Sequence, residues 1–99
     1  MANVCENTLK VYSEDNKNIE FIVEFINKEI PYADIENIDN SELEVYFDSK
    51  WTFPKDIMNE LFKGIPNKDD IEMTCLSVEW GCYYCEFNFC DSNGWKQKE

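Results

Sequence analysis

The chain has 99 residues, with 43% hydrophobic and 15% aromatic side chains, so it is one domain at most and is too apolar to stay disordered. It carries 21 acidic against 9 basic residues, a formal net charge of −12, and every cation is a lysine; arginine and histidine are absent. That balance disfavours direct binding of nucleic acid or of an anionic membrane, because both need a basic footprint and phosphate is gripped best by arginine forks.

Taken in order, Cys5 to Tyr12 alternates, with Cys5, Asn7, Leu9 and Val11 on one face and Glu6, Thr8, Lys10 and Tyr12 on the other, which predicts a first strand. Ser13 to Asn16 offers caps and acids. Ile19, Ile22, Val23, Ile26 and Ile30 then recur at helical spacing until Pro31 ends the run. Tyr32 to Ile38 reads as a short edge strand and Asp39-Asn40-Ser41 as a turn. Leu43, Val45 and Phe47 alternate with Glu42, Glu44, Tyr46 and Asp48, which predicts a half-buried strand.

The joint that follows, Ser49 to Pro54, leads into a second helix carrying Ile57, Met58, Leu61, Phe62 and Ile65 on one stripe. Pro54 suits the first helical position, Thr52 or Ser49 the cap, and Trp51 and Phe53 are expected to be buried against the core. On that reading Trp51→Ala costs about 3–5 kcal/mol. Ile71 to Trp80 and Cys82 to Asp91 complete a hairpin about Gly81, with Leu76, Val78, Cys85, Phe87 and Phe89 assigned to the core side. Residues 1–94 form the domain, closed by an Asp91-Ser92-Asn93-Gly94 turn, and residues 95–99 are expected to fray.

The order strand, helix, strand, strand, helix, hairpin predicts an α+β, ferredoxin-like sandwich: an antiparallel sheet, two helices on one face and an extra C-terminal strand. Two runs, Met1 to Val11 and Phe47-Asp48-Ser49-Lys50-Trp51-Thr52-Phe53-Pro54, together with Glu79-Trp80-Gly81, resemble the Api92-like family of ferredoxin-like domains. Asn-Trp-Cys, Phe-Asp-x-x-Trp-x-x-Pro and Glu-x-Gly recur there, and Val4 stands here in place of the family's tryptophan. The resemblance spans most of the chain. It implies a phage or mobile-element setting and no chemistry that can be carried over residue by residue.

The five cysteines, at 5, 75, 82, 85 and 90, and the start of the chain read as those of a reduced, cytoplasmic protein. Cys82-Tyr83-Tyr84-Cys85 has the spacing of a zinc half-site, but on an alternating strand Cys85 and Cys90 point to opposite faces, so free thiols and no metal are expected. Without histidine or a glycine-rich phosphate loop the chain offers no catalytic signature, and neither an enzyme nor a cofactor is expected. A net negative protein attracts a basic protein surface, and together with the family setting this points to a phage-borne inhibitor that occupies the nucleic-acid-binding surface of a host defence complex such as a CRISPR effector. Glu44, Tyr46, Asp48, Glu79, Tyr84 and Glu86, taken to share the open sheet face, are the expected contacts. The alternatives are acids that serve solubility alone, a homodimer, and a ligand-binding module that stacks a nucleotide on Tyr12, Tyr46 and Tyr84.

Overall fold

The structure, a computed structural model, describes residues 4–81 and 84–97. Strand β1 (Val4–Tyr12) is followed by α1 (Asn16–Glu29), β2 (Asp34–Asn37), β3 (Glu42–Lys50), α2 (Lys55–Gly64), β4 (Glu72–Glu79), β5 (Tyr84–Asp91) and β6 (Gly94–Gln97). The sheet order is β2-β3-β1-β4-β5-β6 and every pairing is antiparallel. The first four strands and two helices make the ferredoxin-like sandwich, and the C-terminal hairpin extends it past β4.

One face of the sheet and the two helices close a single core. Leu9 and Val11 of β1, Leu43, Val45 and Phe47 of β3, Ile22 and Ile26 of α1, Met58 and Leu61 of α2, and Met73 and Cys75 of β4 are buried in one cluster. Full burial of each large aliphatic side chain stabilises by about 1.5–3 kcal/mol, and that gain holds two helices with otherwise polar surfaces on the sheet. Asp15 caps α1 by accepting from the Lys17 N–H at 2.9 Å. Asn18, fully buried on the first turn of α1, accepts from the Asn67 N–H at 2.9 Å and donates to the carbonyls of Asn67 (2.8 Å) and Asp70 (2.9 Å), tying the helix to the segment that enters β4. The helices come close where Gly64 lies over Phe21: a Cβ there would meet the Phe21 ring at 2.2 Å.

Three expectations are corrected. Trp51 is not buried: it is 58% exposed, and its backbone is left-handed at φ 71° in a three-residue turn closed by the Thr52 N–H on the Lys50 carbonyl at 2.8 Å. The Ser49 hydroxyl donates to the Thr52 carbonyl at 2.8 Å and caps no helix, and Pro54 holds the cap position of α2 in place of its first turn. Phe53 is buried as expected.

The faces of β4 and β5 are also inverted. Met73 and Cys75 stand beside Val11 and Leu9 in the helix-side core, so the period of two carries Ser77 and Glu79 to that side. Cross-strand pairing then places Glu86 beside Ser77 and Tyr84 beside Glu79, and turns Leu76, Val78, Cys85, Phe87 and Phe89 to the open face. The apolar residues of β4 are divided between its two faces, and composition alone favours the wrong one.

Finally, residues 95–97 do not fray. They form β6 on β5, with Trp95 donating from Nε1 to the Met58 carbonyl at 2.9 Å and meeting the Phe53 ring edge-on, centroids 5.4 Å apart.

Candidate protein-interaction face

Strand register fixes what the open face carries. Across β2, β3, β1, β4 and β5 one row reads Asp34, Tyr46, Thr8, Leu76, Phe87, and its neighbours read Glu36, Glu44, Lys10, Thr74, Phe89 and Asp48, Glu6, Val78, Cys85. Beyond them Glu42, Tyr12 and Glu72 form another row. The face is therefore two halves. The β2–β3–β1 half carries exposed or half-exposed carboxylates interleaved with Tyr12 and Tyr46, with Lys10 and Lys50 as its cations. The β4–β5 half is apolar, with Leu76 41% and Phe87 39% exposed.

Like charges stand directly opposite each other twice, Glu6 against Asp48 and Glu36 against Glu44. Such pairs destabilise a sheet by roughly 0.2–1 kcal/mol each. Among the described residues none of these carboxylates lies within 4.0 Å of a lysine; the ion pair found is Lys63–Glu60 on α2. Tyr46 donates its hydroxyl to Glu44, and that bond raises the phenol above its ordinary range. Tyr12 does the same with Glu14 at 3.0 Å. Both hydroxyls are thus engaged as donors to a carboxylate. Two shallow cavities flank the Tyr46 row: one of about 300 Å³ lined by Glu6, Tyr32, Asp34, Tyr46 and Asp48, the other of about 280 Å³ lined by Lys10, Tyr12, Ile38, Glu42, Glu44 and Glu72.

Of the expected contact residues, Glu44, Tyr46 and Asp48 come together on this face. Glu79, Tyr84 and Glu86 do not: they lie on the helix side, in a polar cluster at the end of the sheet. There Ser77 donates to Asn7 at 2.7 Å, Asn7 donates to Ser49 at 2.9 Å, Tyr84 donates to Glu86, Asn88 donates to the same carboxylate at 2.7 Å, and Glu79 accepts from the Gly81 N–H at 2.7 Å. Through Ser49, and through the Phe53 N–H on the Tyr84 hydroxyl at 3.4 Å, the cluster holds the joint on which Trp51 is displayed. Burial and the Glu86 bond push the Tyr84 phenol up to about 12. The base-stacking trio of Tyr12, Tyr46 and Tyr84 is therefore broken, since Tyr84 faces the other way. Glu6 was legible from the alternation of β1, whereas Asp34, Glu36 and Glu72 join the face only through register.

Of the described thiols, Cys5, Cys75 and Cys90 are buried. Burial pushes Cys75 and Cys90 up to about 12 and raises Cys5, while Cys85 is exposed on the open face. Cys85 and Cys90 do point to opposite faces; Cys82 and Tyr83 of the zinc-type spacing lie outside the described residues. Among the described residues no cluster of three or more histidine, cysteine or acidic side chains is placed to hold a metal. Among the described residues no helix is long and apolar enough to cross a membrane.

Comparison with protein-family models, with curated proteins and with solved structures finds no match.

Proposed function

We propose that this is a non-enzymatic interaction protein whose acidic open sheet face docks on a basic surface of another protein in the cytoplasm. The observation that carries the reading is the pairing of Glu6 with Asp48 and of Glu36 with Glu44. Solubility alone is served as well by acids spread apart, and spreading them avoids the cost of facing like charges across strands. Concentrated on one sheet face, the same acids raise the encounter rate with a basic patch and repel phosphate. Tyr12 and Tyr46 supply the rigid amphipathic contacts that interface cores favour. The resemblance to Api92-like proteins names the first partner to try, the nucleic-acid-binding surface of a host defence complex such as a CRISPR effector.

The test removes charge and keeps shape. A Glu6→Gln, Glu44→Gln, Asp48→Asn variant should associate with a basic partner about tenfold more slowly at low salt, with a flatter salt dependence. The free variant should melt no lower than wild type, because both facing like-charge pairs have been relieved. Equal association rates for the two proteins at low and high salt would leave the acids as solvation only.

A further inference from the structure

The apolar half of the open face lies exposed beside the acidic half, and together they define a shape. From Thr74 to Glu79 the stripe is about 17 Å long, at roughly 3.4 Å per residue, and the two strands β4 and β5 make it about 10 Å wide at 4.8 Å per strand. Those are the length of a helix of about 11 residues and the width of one helix with its side chains. Leu76 and Phe87, directly paired, form the middle of the stripe, with Val78 and Cys85 on one side of them and Thr74 and Phe89 on the other. Along its β1 edge Glu6 stands beside Val78, with Asp48 one strand further out, whereas at the other end Lys10 of β1 stands beside Thr74 and Lys96 of β6 beside Phe89, so the acidic end of the stripe is the one at Val78 and Cys85.

We infer that this stripe seats an amphipathic helix of the partner, with its apolar face on Leu76 and Phe87 and a lysine- or arginine-bearing flank over Glu6 and Asp48. The inference rests on the proposal that the open face receives a basic partner, and it specifies the element that enters. Charge complementarity selects this occupant. The acids beside the stripe repel a nucleic acid, an anionic lipid surface and an acidic helix alike. A second copy of the chain fits poorly, because it carries the same net charge of −12 and would bring the same acidic rows against these. A single helix needs no more than the stripe. The opposite face of the sheet already demonstrates the packing, since α1 and α2 cover the alternate residues of these same strands.

The experiment uses the whole protein and two amidated 14-residue peptides of leucine and lysine with the same composition. In one, leucines recur three and four residues apart; in the other, leucine and lysine alternate. The helical-period peptide should bind at least about tenfold more tightly, gain helicity on binding, and shift the amide resonances of Leu76, Val78 and Phe87. Phe87→Gln should lose about tenfold in affinity with an unchanged far-ultraviolet spectrum, and Leu76→Gln serves the same purpose should Phe87→Gln fold poorly. Equal binding of the alternating peptide, absence of binding by either, or wild-type affinity in a folded Phe87→Gln or Leu76→Gln variant would overturn the helix. If the acidic triple variant loses binding while the Phe87→Gln variant does not, the acidic face stands and the helical seat is wrong. Peptide binding that is indifferent to the triple variant counts against both.

Discussion

Trp51 shows how a side chain can be conspicuous in sequence and still lie outside the core. Its φ of 71° is one that L residues rarely adopt, and the turn persists because Ser49, itself held by Asn7, fixes the Thr52 carbonyl. A left-handed residue with a Cβ costs about 1–2 kcal/mol, and the exposed indole has little burial with which to offset it. Trp51→Gly should therefore raise stability by about 1 kcal/mol, and Trp51→Ala should change it by less than that. Thermal melts decide between this and the larger loss that a buried tryptophan implies: a fall of about 3 kcal/mol in either variant would put the indole back in the core. Asn18 is the opposite case. Nothing in its neighbourhood of sequence marks it, yet its amide bonds to two backbone carbonyls and one backbone N–H make it a fully buried anchor.

At the level of elements, the C-terminal β6 owes its order to one residue more than to its pairing. Four residues of edge strand are marginal alone. Trp95 adds an edge-on contact with Phe53 and a hydrogen bond to the first turn of α2, at the Met58 carbonyl, so the strand is pinned to α2 as well as to β5. The turn before it depends on Gly94, whose φ of 104° only glycine adopts easily. Trp95→Ala should cost about 2–4 kcal/mol, for lost aromatic burial and the lost hydrogen bond to α2. Denaturant unfolding measures this directly, and a midpoint unchanged from wild type would return residues 95–97 to the status of a tail.

For the molecule as a whole, a net charge of −12 sets a self-repulsion that the fold carries at every contact. Salt shortens the reach of that repulsion from about 10 Å at 0.1 M to about 3 Å at 1 M. The free protein should therefore melt several degrees higher in 0.5 M than in about 0.01 M sodium chloride, while its complex with a basic partner weakens over the same range. A melting temperature that is flat or falls with salt would mean that the acids of the open face are already compensated, which would remove the drive for docking.

The sequence by itself determined the element order as far as β5, the ferredoxin-like sandwich and the inward face of β1, α1 and β3, because in each of these the aliphatic period is clear: Leu9 and Val11, Ile22 and Ile26, Leu43 and Val45 stand opposite mainly charged residues such as Glu6 and Lys10, Glu20 and Glu24, Glu44 and Asp48. For β4 and β5 it could not choose. Met73 and Cys75 compete with Leu76 and Val78, and Phe87 and Phe89 outweigh Asn88 and Cys90 in hydropathy, so the parity was settled by the pairing of β4 with β1, a contact between residues some seventy positions apart such as Asn7 and Ser77. That one decision divided the six expected contact residues, leaving Glu44, Tyr46 and Asp48 on the open face and carrying Glu79, Tyr84 and Glu86 beneath the joint. It also exposed the Leu76–Phe87 stripe. Side-chain period fixes a face only where one face is clearly the more apolar; elsewhere register decides, and register belongs to the tertiary structure.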